Sequence, residues 1–260
     1  VVLDFKDTPI AYFPYLSFPL EQNRKSGLLM PEFSNSDRTG TTITVPWYWN
    51  IAPNYDATIT PRLMTDRGLQ MGGEFRHLNR QTNGVITGEF LHDDDKTEQD
   101  RWLIAVDIQT FLPLGWRSTI DAIDVSDANY FEDLSSGLAS SSQVSLDRRM
   151  DLDFFNGPWT AQLRVQDIQI IDESVTGGEK PYKLLPRLAV RAYYPQSLLG
   201  FSYTLDSEVA YFDRDLGVTG LRGHFKPGIS RVFNVGLLVL APGVALEHTR
   251  YQLDDTAPGE

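Results

Sequence analysis

One stretch of the sequence concentrates residue types that bind metal ions. Hard divalent cations prefer clustered oxygen ligands, and residues 92–100 bring several carboxylates close together. The spacing of an EF-hand loop, with its central glycine, is absent there, so we expect a solvated acidic loop rather than a metal site. Residues 213–217 (DRDLG) receive the same interpretation. The candidate ligands of the longer stretch are His92, Asp93, Asp94, Asp95, Glu98 and Asp100.

The histidines do not suggest a catalytic arrangement. His77, His92, His224 and His248 are scattered over different predicted segments. The sequence contains no Gly-x-Ser-x-Gly elbow, no phosphate-binding loop and no His-Glu-x-x-His motif. We therefore expect a protein that is not an enzyme and that carries no cofactor and no metal.

The charge balance narrows the class of partner. The 260 residues include 23 Lys and Arg against 35 Asp and Glu, a formal net charge of −12 at pH 7. Nucleic-acid-binding proteins need Lys and Arg to neutralise phosphates, and electrostatic attachment to anionic lipid needs them as well. The composition argues against both. There is no cysteine, which excludes a thiolate metal cluster from this chain.

The elements that carry these residues are predicted to be β-strands. In residues 159–166 (WTAQLRVQ), apolar side chains alternate with polar ones, and successive strand residues point to opposite faces of a sheet. The longest apolar run, 235–246, is interrupted by glycine and proline and is shorter than the ~20 residues of a membrane-spanning helix. Strands are predicted at 28–35, 41–48, 55–64, 69–79, 84–91, 101–112, 115–124, 143–155, 158–171, 183–194, 199–212, 219–230 and 232–249.

Strand length and connection length favour a membrane barrel. Several predicted strands exceed ten residues, whereas strands of soluble proteins average ~5–6 and a tilted membrane strand needs ~9–11. After residue 79 short and long connections alternate, which is typical of outer-membrane barrels. We predict an all-β, antiparallel transmembrane β-barrel, with a soluble carbohydrate-binding β-sandwich as the alternative. The short connections are 79–83, 113–114, 156–157 and 195–198, and the long ones are 92–100, 125–142 and 172–182.

Five stretches of the sequence resemble motifs of one protein family. Residues 24–31 (RKSGLLMP) are similar to its "RKSGFLxP" stretch, and residues 47–58 (WYWNIAPNYDAT) to its "YYWNIAPNxDAT" block. Residues 67–78 follow its "RGLxxGGEFRxL" pattern and residues 125–133 its "VSDxxYFxD" pattern. Residues 181–187 (PYKLLPR) resemble "PYxxLPQ", with arginine replacing glutamine. By these stretches the sequence resembles the LptD family of outer-membrane proteins for lipopolysaccharide assembly. The resemblance is strong through residue 133 and continues, more weakly, to about 251.

The resemblance implies a domain organisation. Members of the family have a periplasmic β-jelly roll followed by a very large barrel. On that map residues 1–24 are the end of the jelly roll and a hinge, and residues 25–260 are the N-terminal part of the barrel. We therefore expect the sequence to be a fragment of a longer protein, lacking most of the jelly roll, the last barrel strands and the cysteines of the family's disulfides.

The resemblance also implies a function and partners. The barrel would sit in the outer membrane of a Gram-negative cell, with the N-terminal end of the chain in the periplasm. It would insert lipopolysaccharide into the outer leaflet through a lateral gate between its first and last strands. The implied partners are lipopolysaccharide, the lipoprotein LptE as barrel plug, the bridge protein LptA through the missing jelly roll, and the barrel-assembly machinery. A general porin or receptor-type barrel is the alternative function.

Two prolines are the candidate gate residues. Pro31 and Pro46 correspond by motif to prolines that the family carries on its first two barrel strands. Proline has no N–H to donate to a strand ladder, and an unmade backbone bond costs several kcal/mol in hydrocarbon. A turn at residues 37–40 (DRTG) would set residue 31 opposite residue 46, so that both prolines weaken one pairing. The alternative is that each proline only begins or ends a strand.

Two further prolines are candidates for a hinge. Pro14 and Pro19 lie at the predicted junction of the jelly roll and the barrel, close to the Arg24-Lys25 pair. A hinge there would aim the jelly roll at the gate. An ordinary edge strand that contains prolines explains the same residues equally well.

Overall fold

The computed structural model describes residues 2–5, 8–12, 24–135, 145–172, 175 and 180–254. In this part of the chain almost all regular structure is β-strand. One short helix, α1 (Tyr130–Leu134), lies in the connection after residue 125. The strands are β1 (Val2–Phe5), β2 (Thr8–Tyr12), β3 (Gly27–Leu28), β4 (Glu32–Ser36), β5 (Gly40–Thr44), β6 (Trp47–Ala52), β7 (Tyr55–Met64), β8 (Gly68–Leu78), β9 (Thr82–Leu91), β10 (Arg101–Phe111), β11 (Trp116–Val125), β12 (Ser145–Asn156), β13 (Trp159–Ile170), β14 (Lys183–Tyr194), β15 (Phe201–Asp213), β16 (Thr219–Arg231), β17 (Phe233–Val235), β18 (Leu238–Leu240), β19 (Gly243–Ala245) and β20 (His248–Asp254).

Sixteen of these strands form one antiparallel sheet. From β7 to β16 each strand pairs with the next in sequence, whereas β5 and β6 both pair with β7, β4 pairs with β5, and β3 pairs with β6. The order runs from β19 and β20, which both pair with β16, through β15 to β7, and ends at β3 and β4. The strands at the two edges of the sheet do not pair with each other in the described part of the chain. The predicted all-β antiparallel fold is confirmed, in the form of a partial barrel.

The two faces of this sheet have opposite character. In β12 and β13, Leu152 pairs with Leu163 on one face, whereas Asp151 pairs with Arg164 on the other. Leu163 is 38% exposed, while Asp151 is only 6% exposed. A soluble protein buries its apolar side chains and solvates its charges, and this sheet does the reverse. The outer apolar face therefore suits lipid, as on a membrane barrel.

The connections keep the predicted alternation. The end of the sheet that carries residue 24 and the turn at residues 53–54 is called the turn end here, and the opposite end is the loop end. From β8 to β14 the turn-end connections are 79–81, 112–115 and 157–158, and the loop-end connections are 92–100, 126–144 and 171–182. No described helix is both long enough and apolar enough to cross a bilayer.

The prediction of one long strand at 232–249 was wrong. This segment contains four short strands: β17 and β18 form a hairpin of their own, and β19 and β20 pair with β16. Gly236, with φ at +62°, allows the tight turn between β17 and β18. Pro242 precedes β19 and accepts a bond from Arg231 N–H at 3.0 Å, but it has no N–H with which to extend a ladder.

The buried apolar residues gather at the loop end. There α1 packs on the charged face of the sheet, against the ends of several strands, so that Tyr130 and Leu134 are each 2% exposed. This packing makes the loop end the most densely buried part of the described chain. The cluster consists of Met64, Leu91, Leu103, Val125, Tyr130, Phe131, Leu134, Leu146 and Ile171.

Candidate functional site

Pro31 and Pro46 interrupt the first hairpin of the sheet. The predicted strands at 28–35 and 41–48 are each divided in two in the structure. Pro31 lies in the gap between β3 and β4, and Pro46 lies in the gap between β5 and β6. The two gaps face each other, so the ladder is broken on both strands at one level.

The register predicted for this hairpin was wrong. Ser36 pairs with Gly40 around the turn, and the ladder continues to Glu32 opposite Thr44. On the other side of the gap Leu28 pairs with Trp47. Residues 29–31 on the first strand therefore oppose only residues 45–46 on the second. This extra residue is a β-bulge. Pro31 does not lie directly opposite Pro46, because the register from the turn, with Glu32 opposite Thr44, continues to residue 31 opposite residue 45.

A third proline, which the sequence reasoning missed, lies at the same level. Leu29 N–H donates to the carbonyl of Pro46 at 2.9 Å, and Val45 N–H donates to the carbonyl of Pro61 in β7 at 3.1 Å. A proline cannot return such a bond. The ladder therefore has fewer backbone hydrogen bonds between the first and second strands of the hairpin, and also between the second strand and β7. A proline inside the predicted strand 55–64 was the signal that could have revealed Pro61.

The turn end of the same hairpin is held by a group of charged residues, called the turn-end cluster: Arg24, Tyr48, Asp56 and Arg76. The Asp56 side chain is 4% exposed. One of its oxygens accepts bonds from Arg24 at 2.6 Å and from the Tyr48 hydroxyl at 3.0 Å, and the other accepts Arg76 Nε at 2.7 Å. Arg24 also donates to the Pro53 carbonyl at 2.8 Å. A buried carboxylate thus orients two guanidinium groups that are 54% and 48% exposed.

These guanidinium groups border a cavity of about 610 Å³. It opens where the chain joins the sheet, beside the turn between β6 and β7. Asp107 lines it from β10, and Asn54 lines it from the turn. A cavity with cationic and amide groups on its wall can accommodate a polar ligand.

A second group of charged residues, the loop-end cluster, consists of the buried Arg67, Asp94 and Arg101 and the partly exposed Asp127 and Asp133. Asp94 is 0% exposed, and it accepts bonds from Arg67 at 2.7 Å and from Arg101 at 3.1 Å. Asp133 of α1 lies 3.0 Å from Arg67 and 2.8 Å from Arg101. Asp127 receives two parallel bonds from Arg101, at 2.9 and 2.8 Å. The two buried arginines therefore have three carboxylate partners, which satisfies the requirement that buried charges be paired.

The loop-end cluster also holds the tip of the first hairpin. Arg67 Nε donates to the carbonyl of Arg38 at 2.7 Å. Lys96 donates to the carbonyls of Asp37 and Arg38 at 3.1 and 3.0 Å. The Arg38 guanidinium in turn donates to the Glu132 carbonyl of α1. The hairpin tip is thereby fixed to the connection that folds onto the charged face.

The environment of this cluster shifts two protonation equilibria. Burial acts to raise the pKa of Asp94, but the Lys96 N–H and the guanidinium groups of Arg101 and Arg67 outweigh burial and hold the pKa below its usual range. Burial, together with Glu89, raises the pKa of Tyr130. The Tyr130 hydroxyl donates to Glu89 at 2.7 Å, so it is a neutral donor at physiological pH.

The acidic stretch 92–100 is only partly the solvated loop that was expected. His92 and Asp100, 2.7 Å apart, are exposed, but Asp94 is buried because its carboxylate pairs with arginines. Within the ranges that the structure describes, no group of three or more His, Asp or Glu side chains could hold a metal ion. Asp215 is exposed beside Lys183, as expected. The candidate hinge residues Pro14 and Pro19 lie outside the described residues.

The sequence of this chain matches family models and known proteins over almost its whole length. Residues 99–260 match the family model LptD, described as LPS transport system D, and residues 1–111 match a second model described as LptD protein. The chain belongs to the LptD family. The LPS-assembly protein LptD of Nitrosococcus oceani is 38% identical over 97% of this chain and 35% of its own length. Those of Alkalilimnicola ehrlichii and Pseudomonas aeruginosa are 39% and 32% identical over 98% and 99% of this chain. The chain spans about a third of the length of these relatives.

The stretches that resembled LptD proteins in the sequence meet in the two clusters. Arg24 comes from the first stretch, Tyr48 and Asp56 from the second, and Arg76 from the third, and all four form the turn-end cluster. The third stretch also supplies Arg67 to the loop-end cluster, where it meets the stretch at 125–133. Four of the five LptD-like stretches therefore make long-range contacts around the first hairpin, and the fifth, at 181–187, lies in neither cluster.

Proposed function

We propose that this chain is part of an outer-membrane translocon that inserts lipopolysaccharide into the outer leaflet through a lateral gate of the barrel. The relatives are named LPS-assembly proteins, and the outward apolar face of the sheet suits lipid. The observation that carries the proposal is the interruption of the first hairpin at Pro31 and Pro46. A lateral gate needs a weak pairing at one edge of the sheet, and this hairpin lies at that edge.

The physical basis is the strength of backbone hydrogen bonds away from water. Each proline removes one possible donor, and a bond that contributes about 1 kcal/mol in water is stronger in hydrocarbon. The strands at the gate would separate at a lower energetic cost than any pair in the uninterrupted part of the sheet. The chain contributes a polar inner face and the weak edge, and a partner outside this chain supplies the energy.

Under this proposal each end of the barrel faces a different side of the outer membrane and meets different partners. The turn end would face the periplasm, where the preceding jelly roll receives lipopolysaccharide from LptA across a hinge near Pro14 and Pro19. LptE would plug the completed barrel, and the barrel-assembly machinery would insert it. The loop end would face the outside of the cell.

Replacing Pro31 and Pro46 with alanine in the full-length protein tests the proposal. The double variant can regain up to two backbone bonds, each contributing about 1 kcal/mol or more, so the gate should open less readily. We expect less surface lipopolysaccharide per folded barrel, and stronger cysteine cross-linking between the first and last strands. Pro158→Ala, in the turn between β12 and β13, is the matched control and should change neither quantity.

Two outcomes would count against the gate. If delivery is unchanged in the double variant, Pro31 and Pro46 are ordinary residues at strand ends. If the full-length protein conducts small solutes and delivers no lipopolysaccharide, the barrel is a general porin. Heat-resistant migration of the folded barrel in gels verifies that each variant has assembled.

A further inference from the structure

The turn-end cluster has binding capacity that its internal contacts leave unused. Arg76 reaches Asp56 and Glu74 through Nε, and among the described residues its two terminal nitrogens donate no hydrogen bond. The contact with Glu74 is 3.5 Å long between two side chains that are both more than 40% exposed. Such exposed pairs contribute little and are easily rearranged. The Arg76 guanidinium is therefore held at one edge and free at the other.

Asp56 acts as the positioning residue of this arrangement. Its two oxygens accept three side-chain bonds, so its single charge is shared between Arg24 and Arg76. Glu74 lies 3.5 Å from Arg76 and Asp107 lines the same cavity, so the site offers an anion two oriented guanidinium groups rather than a net positive charge. Planar guanidinium groups recognise phosphate by parallel paired hydrogen bonds, and they do so better than lysine.

We propose that the turn-end cluster binds a phosphate monoester of a phosphorylated glycolipid head group. Arg24 and Arg76 contact the phosphate, and the cavity of about 610 Å³ beside them receives the adjoining sugar. Asn54, with its amide in the wall, can donate to or accept from sugar hydroxyls. The identity of the ligand rests on the proposed function, whereas the preference for phosphate rests on the arginine pair.

The position of the cluster suits a first contact inside the barrel. It lies where the chain joins the sheet, beside the first hairpin, on the same face of β7 as Arg62. On this face Asp151 and Arg164 pair with each other, and so do Arg187 and Glu208. Glu208 is likewise shared, between Arg187 and Arg222, so the turn-end cluster is distinguished by its place: its two arginines border the cavity beside the first hairpin.

Photo-cross-linking from position 54 in the full-length protein tests the proposal. Asn54 is replaced by a photoreactive residue, and adducts are compared between bisphosphorylated lipid A and the same lipid with its phosphates removed. We expect the phosphorylated lipid to give about tenfold more adduct. The double variant Arg24→Gln with Arg76→Gln should lose this difference. Arg191→Gln is the matched control, because Arg191 is an exposed arginine with one carboxylate partner, Asp206, at 3.2 Å.

A competition experiment needs no substitution of the arginines, so it remains informative if the double variant fails to fold. Inorganic phosphate should reduce adduct formation with the phosphorylated lipid, and chloride at equal ionic strength should not. Equal adducts with both lipids, or equal effects of the two salts, would overturn the proposal. Competition by free phosphate without any preference between the lipids would show a site for the free ion and would overturn the head-group assignment.

The tests of the phosphate site and of the lateral gate can fail independently. If position 54 shows no phosphate preference while alanine at Pro31 and Pro46 still lowers surface delivery, the binding site is wrong and the gate stands. If delivery is insensitive to the prolines while the phosphate preference persists, the gate is wrong and the anion site stands.

Discussion

Substitution of Asp94 by asparagine tests the loop-end cluster most directly. The Asp94 carboxylate is fully buried and bonded to Arg67 and Arg101, whose side chains are 4% and 3% exposed. Asparagine keeps the volume and removes the charge. The substitution therefore leaves two buried guanidinium groups with one fewer anionic partner, and the loops that they join should loosen.

The magnitude follows from the partners that remain. Removing one member of a buried ion pair costs about 3–5 kcal/mol, because the other charge stays buried without compensation. Arg101 retains Asp127 and Asp133, and Arg67 retains Asp133. We therefore expect a cost at the lower end of this range, and it should be local to the loop end because the strand ladders are unaffected.

Hydrogen exchange of the full-length protein measures this effect. Backbone amides of residues 92–100 and 130–134 should exchange faster in Asp94→Asn, while those of β13 and β14 should be unchanged. Asp100→Asn is the matched control. It removes a carboxylate from the same loop, but one that is 54% exposed and paired with His92, so its effect should be near zero.

The pH dependence has a definite sign. The pKa of Asp94 is lowered in the folded protein relative to its ordinary value of 3.8, so its contribution to stability is fully present above that value. The contribution is lost as the pH falls through the lowered pKa. Protection of the loop end should therefore be constant from neutral pH down to about pH 4 and fall below it, and Asp94→Asn should flatten this dependence. Equal exchange in Asp94→Asn and Asp100→Asn would refute the assignment of Asp94 as the centre of the cluster.

The remaining predictions concern the membrane face and the edges of the sheet. Arginine at Leu163 should destabilise the folded barrel in lipid by about 2–4 kcal/mol if this position is near the bilayer midplane, whereas arginine at Gln162, on the charged face, should cost far less. Urea titration of the folded barrels measures both free energies of unfolding, and equal costs would contradict the lipid-facing assignment of Leu163. Residues 25–260 expressed alone should form oligomers or aggregates in detergent, because both edges of the sheet lack a partner strand within the described residues. A monodisperse, heat-resistant monomer on sizing would show instead that the segment closes on itself.

Local pattern was sufficient to predict most of the strands. Where apolar and polar residues alternate without interruption, as in residues 159–166, the predicted and observed strands agree to within a residue or two. The failure at 232–249 has a local cause, because glycine and proline divide an apolar run that has no alternation to define its faces. The divided strands of the first hairpin follow the same rule, since Pro31 and Pro46 both lie in gaps.

Register and clusters required information that local pattern does not contain. The bulge at residues 29–31 shifts the pairing by one residue, and the alternation of apolar and polar residues does not predict it. Asp94 was expected to be solvated because it lies in an acidic stretch, and its burial depends on arginines at positions 67 and 101 that the fold brings to it. The stretches that resemble the family contain the four residues of the turn-end cluster and Arg67, Asp127 and Asp133 of the loop-end cluster, but not Asp94 or Arg101, and they did not reveal that these residues touch.

The first hairpin is anchored at both ends and weak between them. At its tip Arg67 and Lys96 bind the carbonyls of the turn, and at its base Arg24 binds Asp56. The missing donors lie in the gaps between these anchors. Under the proposed function, strand separation would then be confined to the middle of the hairpin. Before the ends could move, each anchor would have to lose its charge-assisted hydrogen bonds, which are about twice as strong as neutral ones. A gate built in this way can open for a lipid without unfolding the strand that carries it.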